Sequence, residues 1–357
     1  MTESTDWRVL WWNRLEADPE GPFVDAASVG ILGGPDPHVV AIHEYHSRHV
    51  SILKCDNTDL YRLSDGEHTD WWSMFKYPIR TPRIDVAELG GRPVVVVNAG
   101  HGVSVRRSGG TKVDDVGDLE LPAEDVIIGT FDDRLVAVAA WNSIEDNQPA
   151  LVQAFDLTDA GPPTPIAPPW RLPVDNDDEA WEWDYPFQWR LGRVSNRPVA
   201  ALANESLLDL RCAVTGDPDA APSRHFYLDE FGACDCPARI GQCPRLLTVD
   251  DRAGQDLALV ARHNGDVGCY DVNTGQLHGS LLTGHEGELL GARLGRVKAR
   301  PVAALLLDHG VSLYDLDTGG QPRHIELGVR AFDLAFGPDG VLAIATDSGV
   351  LAGQLTP

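Results

Sequence analysis

The chain of 357 residues lacks several features that would place it in common protein classes. No apolar run approaches the ~18 residues that a membrane-spanning helix needs, so we expect no membrane span. The first residues, MTESTDWRVLWW, contain neither a basic region nor a long apolar stretch, so we expect no signal peptide and a cytoplasmic location. Six cysteines in a chain of this length do not form a disulfide framework, and we expect reduced thiols.

Basic residues are scarce: 29 Lys and Arg stand against 54 Asp and Glu, which gives a formal net charge of −25. Binding to a nucleic-acid backbone requires a basic patch, so this balance argues against a nucleic-acid partner. An acidic surface favours solubility, and it also suits a basic protein partner. We expect a protein that is monomeric by itself, without a nucleic-acid or membrane partner.

Signatures of common catalytic and cofactor sites are also missing. There is no G-x-S-x-G elbow, no H-E-x-x-H, no P-loop and no G-x-G-x-x-G after a predicted strand, so we expect no cofactor. His43, Glu44, His46 and His49 lie close together in the sequence. They leave open the alternative of a propeller-type enzyme, a metal-dependent hydrolase or lyase with a site near the central channel. Polar residues at a strand end and in a loop are the simpler interpretation.

The cysteines offer one further candidate for a metal site. Cys234, Cys236 and Cys243 form a C-x-C-x6-C cluster, and thiolates suit zinc. A structural zinc site needs four ligands, for which His225 or Cys212 would have to supply the fourth. The paired C-x2-C spacing of zinc sites is absent, so loose thiols are the simpler interpretation.

The chain does contain an internal repeat. Residues 191–202 match residues 294–305 at ten of twelve positions, and a shorter copy begins at Gly91. The prolines of the three copies, at positions 93, 198 and 301, are spaced by 105 and 103 residues, about two repeats of the size that propeller blades use. Each full copy contains an apolar run bounded by turn residues, which is typical of a buried strand.

A turn position followed by apolar residues at +3 and +5 recurs seven times, and an apolar run precedes each occurrence. The turn positions are Ser47, Gly100, Pro149, Glu205, Asn264, Asp308 and Asp347. Each unit therefore predicts a pair of adjacent strands. Units of this size cannot bury both faces alone and so stack into a ring. We predict an all-β fold in which residues 1–357 form a single seven-bladed β-propeller of four-stranded antiparallel blades.

The predicted blades cover residues 22–80, 81–122, 123–185, 186–243, 244–286, 287–328 and 329–357. The last unit ends after its third strand, so its fourth strand is missing. Residues 1–14 contain the strand-like sequence WRVLWW, and we predict that they complete the last blade and close the ring. A six-bladed or eight-bladed ring stays open as an alternative.

One unit carries a recognisable signature. Gly284-His285 is separated by 28 residues from Tyr314-Asp315. This pattern resembles the GH…WD repeat of the WD-repeat β-propellers, with Tyr in place of Trp. The resemblance implies that His285 and Asp308 join a buried hydrogen-bond network that fixes the blade. Only one unit has the GH pair, which departs from the family pattern. The family mainly hosts binding platforms.

In a propeller of this connectivity, connections between blades share one face with the turns between second and third strands. We call it the top face. Two predicted top-face connections hold aromatic and acidic residues: Trp71, Trp72, Phe75, Tyr77, Asp177, Asp178, Trp181, Trp183 and Tyr185. Aromatic side chains are the usual anchors of interfaces, and acidic groups add selectivity. We predict a non-catalytic interaction platform that binds a partner protein or peptide. Packing of these aromatics beneath their own loops is the alternative.

Overall fold

The computed structural model of the chain describes residues 7–13, 26–32, 38–43, 49–54, 59–64, 83–98, 103–107, 112–116, 123–141, 151–159, 161–172, 188–203, 207–221, 224–227, 245–261, 266–282, 289–319, 321–337 and 340–355. Most of these residues lie in β-strands, and none of them lies in an α-helix. Within this part of the chain, no helix has the length and apolar character needed to cross a membrane. The prediction of an all-β fold is confirmed for the described residues.

The strands of the described residues form seven antiparallel sheets, numbered I to VII along the chain. Strand β1 (Trp7–Asn13) comes first in the chain but belongs to sheet VII. Sheet I contains β2 (Ala26–Leu32), β3 (His38–His43), β4 (His49–Lys54) and β5 (Asp59–Ser64). Sheet II contains β6 (Ile84–Leu89), β7 (Arg92–Asn98), β8 (Val103–Arg107) and β9 (Lys112–Val116). Sheet III contains β10 (Ala123–Phe131), β11 (Arg134–Trp141), β12 (Leu151–Asp156), β13 (Thr164–Pro165) and β14 (Trp170–Arg171).

The remaining four sheets follow in order. Sheet IV contains β15 (Gln188–Val194), β16 (Arg197–Ala203), β17 (Leu207–Cys212) and β18 (Arg224–Tyr227). Sheet V contains β19 (Arg245–Asp250), β20 (Leu257–Ala261), β21 (Asp266–Asp271) and β22 (Leu277–Leu282). Sheet VI contains β23 (Leu289–Val297), β24 (Arg300–Leu307), β25 (Gly310–Asp315) and β26 (Arg323–Glu326). Sheet VII contains β27 (Ala331–Phe336), β28 (Val341–Thr346), β29 (Gly349–Leu355) and β1.

Sheets I, II, IV, V and VI share one plan, in which the order of the four strands follows the chain. The prediction of four-stranded antiparallel sheets is confirmed in these sheets. In sheet VII the order is β1-β29-β28-β27, because β1 pairs antiparallel with β29. The register joins Trp7 to Leu355 and Asn13 to Val350. This pairing is the one that the predicted closing strand requires.

Sheet III departs from the predicted plan because its outer edge holds two short strands instead of one. β13 pairs with β12 at Pro165 and Phe155, and β14 pairs with the same strand at Trp170 and Val152. The intervening sequence is rich in proline, which has no N–H to donate to a ladder and is confined to sheet edges. The prolines therefore interrupt the fourth strand and leave the three inner strands regular.

Neighbouring sheets contact each other mainly through their first strands. In chain order, β2 contacts β6, β6 and β7 contact β10, β10 contacts β15 and β16, β15 contacts β19, β19 contacts β23, β23 contacts β27, and β27 and β28 contact β2. The contacts therefore run from sheet I to sheet VII and return to sheet I. Such an arrangement is consistent with a propeller-like fold.

The core is divided into apolar layers that lie between neighbouring sheets. One layer joins sheets III and IV and includes Val138, Trp189 and Leu202. Another joins sheets VI and VII and includes Leu313 and Ile344. Further layers join sheets II and III, IV and V, V and VI, and VII and I. Because each layer needs two sheets, no sheet can bury its apolar residues alone.

The turns between first and second strands meet on the face opposite the top face, which we call the bottom face. The Thr130 N–H donates to the carbonyl oxygen of Asn196 at 2.7 Å, which joins the turns of sheets III and IV. Arg296 Nε donates to the carbonyl oxygen of Ala253 at 2.9 Å, which joins sheets V and VI. Adjacent sheets are thus linked at matching ends.

The top face combines two kinds of segment where sheets VI and VII meet. The Ala331 N–H donates to the carbonyl oxygen of Asp308 at 2.9 Å. The Leu327 N–H donates to the carbonyl oxygen of His309 at 3.1 Å. These bonds join the turn between β24 and β25 with the connection that leads to β27. The two segments therefore share a face here, as the predicted connectivity requires.

Candidate functional site

Buried polar side chains recur near the start of the first strands. Asp85 in β6, Asp125 in β10 and Asp333 in β27 are 7%, 3% and 8% exposed, and Ser28 in β2 is fully buried. A buried carboxylate is costly unless it is paired and hydrogen-bonded. The partners of these groups therefore decide what they do.

Two of the aspartates accept a hydrogen bond from the next sheet along the chain. The Ile128 N–H in sheet III donates to Asp85 Oδ2 at 2.6 Å. The Leu191 N–H in sheet IV donates to Asp125 Oδ2 at 3.0 Å. Each bond joins the first strands of two sheets, so each carboxylate fixes the first strand of one sheet against that of the next.

A similar relay runs from sheet VII through sheet I to sheet II. Ser28 Oγ donates to Asp333 Oδ2 at 2.6 Å, and the Val29 N–H donates to the same oxygen at 3.4 Å. Ser28 Oγ in turn accepts the N–H of Ile84 at 3.2 Å. Ser28 therefore links three sheets, as a donor to one and an acceptor from another.

The second oxygen of each aspartate binds its own strand. It accepts the N–H of the following residue at 3.0 Å for Asp85, 3.1 Å for Asp125 and 2.9 Å for Asp333. The register of β10 shifts between Ala123 and Asp125, and that of β27 shifts between Ala331 and Asp333. Such bulges interrupt the ladder and re-aim a side chain, here towards the next sheet.

Four charged side chains meet in what we call the inner charge cluster: Asp85, Arg193, Asp250 and Arg252. Arg193 Nη2 donates to Asp85 Oδ2, and Arg252 Nη2 lies 3.0 Å from Asp85 Oδ1. Asp250 Oδ2 lies 3.6 Å from Arg193 Nη1 and 3.8 Å from Arg252 Nε. Arg193 Nε also donates to the carbonyl oxygen of Ile128 at 2.6 Å. Sheets II, IV and V therefore supply the four charges, and sheet III adds the Ile128 carbonyl oxygen.

The surroundings of the cluster stabilise its charged forms. Burial by itself would raise the pKa of the Asp85 carboxyl. Arg193, Arg252 and the Ile128 N–H outweigh burial and hold that pKa below its usual range. Burial also opposes the charge of Arg252, but Asp250 and Asp85 raise the pKa of this guanidinium. Asp85 and Arg252 therefore both stay charged at neutral pH.

The other two buried aspartates also face arginines. Arg293 Nη2 donates to Asp333 Oδ1 at 2.7 Å, which ties sheet VI to sheet VII. Arg83 Nε lies 3.6 Å from Asp125 Oδ1, which adds a contact between sheets II and III. Each buried carboxylate thus combines backbone donors with an arginine, the combination that makes a buried charge tolerable.

On the bottom face, the first turn of sheet V holds the first turn of sheet IV. The N–H and the Oγ of Ser195 donate to Asp256 at 2.7 and 2.9 Å. The Asn196 N–H donates to Asp251 Oδ2. Burial raises the pKa of Asp251 and the nearby carboxylates of Asp250 and Asp256 raise it further, whereas the Asn196 bond opposes them. The charged form of Asp251 is therefore disfavoured by burial and by the neighbouring carboxylates.

The chemistry open to these groups is limited by the bonds they already make. Asp85, Asp125 and Asp333 each bind their own strand, the next sheet and an arginine. Among the described residues, no group of three His, Cys, Asp or Glu side chains is placed to hold a metal ion. The observed contacts suit these charges to joining and specifying sheets.

The described part of the top face has a different character. His309 is exposed, and its Nε2 lies 3.7 Å from Asp308 Oδ2. Arg330 is exposed, and its Cζ lies 5.6 Å from the ring centroid of Phe332. The Arg330 N–H donates to Asp347 Oδ2 at 3.4 Å. Arginine stacked on an aromatic ring is a common element of binding surfaces.

All nine residues that were predicted to bind a partner lie outside the described ranges. This is true of Trp71, Trp72, Phe75, Tyr77, Asp177, Asp178, Trp181, Trp183 and Tyr185. It is also true of Cys234, Cys236, Cys243, His285, Glu44 and His46. The binding surface, the zinc alternative and the His285 network therefore stay predictions.

Two residues of the family-like signature are described. Tyr314 is buried, and its hydroxyl has no hydrogen-bond partner among the described residues. Burial, with a smaller contribution from Asp266, raises the pKa of Tyr314 to about 12. Asp315 Oδ1 accepts the N–H groups of Asp317 and Thr318 at 3.0 and 3.1 Å. Asp315 therefore caps the turn that follows β25.

The remaining candidates are only partly brought together. His43 ends β3 and His49 begins β4, and the two residues are directly opposite in the register. Cys212 is buried near the end of β17, whereas His225 in β18 is exposed and lies opposite Asp209. Neither residue can be tested as a fourth zinc ligand, because Cys234, Cys236 and Cys243 lie outside the described ranges.

Sequence reasoning missed the inner charge cluster, although one signal was present. Asp85 lies between Ile84 and Val86, and Asp125 directly precedes the apolar run Val126–Ile128, so both carboxylates fall in strands that are expected to be buried. A buried charge requires a partner. The partners were not visible because they are remote in the sequence: 167 residues separate Asp85 from Arg252. Arg193 lies in the repeat, but the repeat itself contains no acidic partner.

Comparison with known proteins gives no family for the chain. No protein-family model matches it, and no curated protein matches it. Function is therefore inferred from the residues themselves.

Proposed function

We propose that the chain is a closed seven-bladed β-propeller of the WD-repeat type that serves as a protein-binding platform. The ring is supported by the contacts between successive sheets and by those of β2 with β27 and β28. Closure by the N-terminal strand is supported by the pairing of β1 with β29. The resemblance of Gly284-His285 and Tyr314-Asp315 to the family's repeat signature supports the family assignment.

The observation that carries the proposal is the use of the buried charges. Asp85, Asp125 and Asp333 each accept a hydrogen bond from the next sheet, so the inner charges hold the sheets in fixed positions. A rigid scaffold suits recognition because little order is lost when a partner binds. Binding then belongs to the segments that connect the sheets.

The strands that bracket the aromatic-rich segments favour the top face as the binding surface. β5 and β6 bracket the segment that contains Trp71 and Trp72. β14 and β15 bracket the segment that contains Trp181 and Trp183. Each segment leads from the outer edge of one sheet to the first strand of the next, as the connection at 327–330 does. Tryptophan at such positions suits an interface anchor.

Charge indicates the kind of partner. The net charge of −25 favours a basic protein or peptide, because complementary charge speeds association and rejects acidic competitors. Within this acidic chain, Arg330 on Phe332 gives the described part of the top face a local cation for a partner carboxylate. The platform therefore binds a protein surface of mixed charge that is basic overall.

The test has two stages. The immobilised chain captures a partner from native lysate, and the purified partner is then titrated against the chain. The variant Trp181→Ala with Trp183→Ala should weaken binding by ~30-fold or more, which corresponds to the loss of one hot spot. The control Leu277→Ala removes an apolar side chain of sheet V that is 43% exposed and should leave binding unchanged.

The melting curve separates the platform from its alternative. We expect the double tryptophan variant to melt within a few degrees of the unchanged chain, because anchors of an interface contribute little to the free fold. A large loss of stability with no specific loss of binding would place the two tryptophans in satellite packing beneath their loops and would contradict the proposal.

Ring closure has its own test. Removal of residues 1–14 takes away the outer strand of sheet VII and exposes the edge of β29. We expect a sharp fall in melting temperature and a tendency to aggregate, because an open edge templates pairing with other chains. A melting curve identical to that of the full chain would refute closure by this strand.

A further inference from the structure

Strand β1 is attached to sheet VII along one edge. The strand order β1-β29-β28-β27 places β1 at the outside, and among the described residues it pairs with β29 alone. The pairing runs from Trp7 opposite Leu355 to Asn13 opposite Val350. Main-chain hydrogen bonds of this kind bind an extended segment without reading its sequence. Any selectivity must therefore come from side chains.

Trp7 supplies the first selective contact. Its ring lies against Gly353, where an added Cβ would overlap the Cη2, Cζ2 and Cζ3 atoms of the indole. Trp7 also packs against the apolar layer between sheets VI and VII. Gly353 therefore leaves a seat that the indole fills, and any side chain at this position would close the seat.

Leu10 supplies a second contact on the other side of the sheet. It packs against the apolar layer between sheets VII and I, which includes Val350 and Ala352. Between the two contacts, Arg8 and Val9 are exposed, and Val9 keeps 50% of its surface in solvent. The edge of β29 therefore favours a strand that carries a Trp and a Leu three positions apart, with one of these side chains on each face of the sheet.

The covalent connection of β1 permits exchange. Residues 14–25 join it to β2 and span at most about 40 Å when extended. An edge strand that belongs to one sheet but is joined by a connecting segment to another is the kind of element that identical chains exchange. An exchanged β1 would make the same backbone pairing and the same Trp7 and Leu10 contacts as the chain's own strand.

We propose that the edge of β29, with the seat at Gly353, is a strand-binding groove that also accepts β1 of a second copy of this chain. In the monomer the chain's own β1 occupies the groove, because the tether gives it an effective concentration on the order of millimolar. When that strand is weakened, β1 of another copy takes its place. The proposal depends on the pairing of β1 with β29 and is independent of any binding at the top face.

The experiment uses two full-length variants with complementary defects. Trp7→Ala with Leu10→Ala weakens the strand and leaves the groove intact, whereas Gly353→Val blocks the groove and leaves the strand intact. Each variant alone should be monomeric and melt below the unchanged chain. In an equimolar mixture, the intact strand can enter the intact groove. We expect a one-to-one complex in light scattering and a rise in the lower melting temperature.

A labelled peptide of residues 7–13 gives a direct measurement. It should bind the strand-weakened variant at least about tenfold more tightly than it binds the unchanged chain, whose groove is occupied. The Gly353→Val variant should bind it no better than the unchanged chain. A control peptide with alanine in place of Trp7 and Leu10 should not bind. If the double variant does not fold, Leu10→Ala alone is used with the same peptide.

A mixture that remains two monomers, or a peptide that binds both variants equally, would overturn the proposal. Trp181→Ala with Trp183→Ala, introduced into both exchange variants, serves as the control, because these residues belong to neither β1 nor the groove. Loss of partner binding in those variants with no effect on strand exchange separates the two surfaces. Failure of exchange with partner binding retained would refute the groove alone.

Discussion

The two copies of the twelve-residue motif, at 191–202 in sheet IV and 294–305 in sheet VI, differ in the use of one arginine. Arg193 is 5% exposed and is bonded to Asp85, whereas Arg296 at the equivalent position is exposed. Both donate Nε to a carbonyl oxygen of the preceding sheet, Arg193 to Ile128 at 2.6 Å and Arg296 to Ala253 at 2.9 Å. The shared contact is the backbone one, and the difference lies in the charged partner.

The neighbours of each copy explain this difference. Arg193 lies within reach of Asp85 and Asp250, and a buried guanidinium is tolerated because it has such partners. No salt bridge to Arg296 is found among the described residues, and its side chain stays at the surface. The motif therefore fixes the hairpin and its packing, while the adjacent sheets decide whether its arginine becomes a buried tie.

The largest effect should follow from removing the charge of Asp85 from the inner charge cluster. Asp85→Asn removes the closer of the two carboxylates that Arg193 and Arg252 share and leaves them only the more distant Asp250. We expect a loss of about 3–5 kcal/mol in the free energy of unfolding. Asp133→Asn makes the same charge change at an exposed turn and should stay within about 0.5 kcal/mol. Urea titrations of both variants measure the two free energies of unfolding. Equal small losses would show that Asp85 does not stabilise the packing of the sheets.

The next effect compares the two arginines directly. Arg193→Met removes one of the two cations that face Asp85, and we expect a cost of about 3 kcal/mol because a buried carboxylate loses a partner. Arg296→Met should cost less than about 1 kcal/mol, since it removes one hydrogen bond at the surface. Equal costs in chemical denaturation would show that burial of Arg193 has no energetic consequence.

The glycine of the motif should behave alike in both copies. An atom at the Cβ position of Gly192 would overlap the carbonyl oxygen of Val249, and one at Gly295 would overlap the ring of Phe336. We expect Gly192→Ala and Gly295→Ala each to cost about 1–3 kcal/mol through overpacking, with the larger cost at Gly192 because a backbone carbonyl cannot rotate away. Thermal melts of both variants test this, and a neutral Gly192→Ala would contradict the close approach.

The smallest effect concerns pH. The pKa of Asp251 is raised, so its charge destabilises the fold at neutral pH, and the penalty shrinks as the pH falls through the folded-state pKa. Asp85 has a lowered pKa and the opposite sign, because its contribution is lost as the pH falls through its folded-state value. Asp251→Asn keeps an acceptor for the Asn196 N–H and removes the repulsion from Asp250 and Asp256.

We therefore expect Asp251→Asn to raise the melting temperature at pH 7, and the gain should disappear as the pH approaches the ordinary Asp value of 3.8. Melting curves across this range provide the measurement. A variant that is less stable than the unchanged chain at pH 7 would mean that the Asn196 bond outweighs the repulsion.

Local pattern predicted much of the strand arrangement. The turn frame with apolar residues at +3 and +5 located all seven third strands, because alternation and turn chemistry are local properties. Where their side chains are described, the predicted apolar pairs are buried, as with Val311 and Leu313. The prolines of sheet III were visible in the sequence, but their effect on the outer strand was not predicted.

The inner charge cluster could not be predicted in the same way. Its members come from three sheets. They are brought together by the packing of those sheets, which is a property of the whole fold and cannot be inferred from local sequence. The motif around Arg193 and Arg296 is the same at ten of twelve positions, yet one arginine is buried and the other is exposed. Partner binding at Trp181 and Trp183 remains a prediction because both residues lie outside the described ranges.

The central claim is that the inner charges hold the fold while the top-face connections bind the partner. The most direct test measures partner affinity and the free energy of unfolding for the same two variants. We predict that Asp85→Asn loses stability and keeps the affinity of its folded fraction, whereas Trp181→Ala with Trp183→Ala loses affinity and keeps stability. If the two quantities fall together in both variants, the separation of scaffold from binding surface is contradicted.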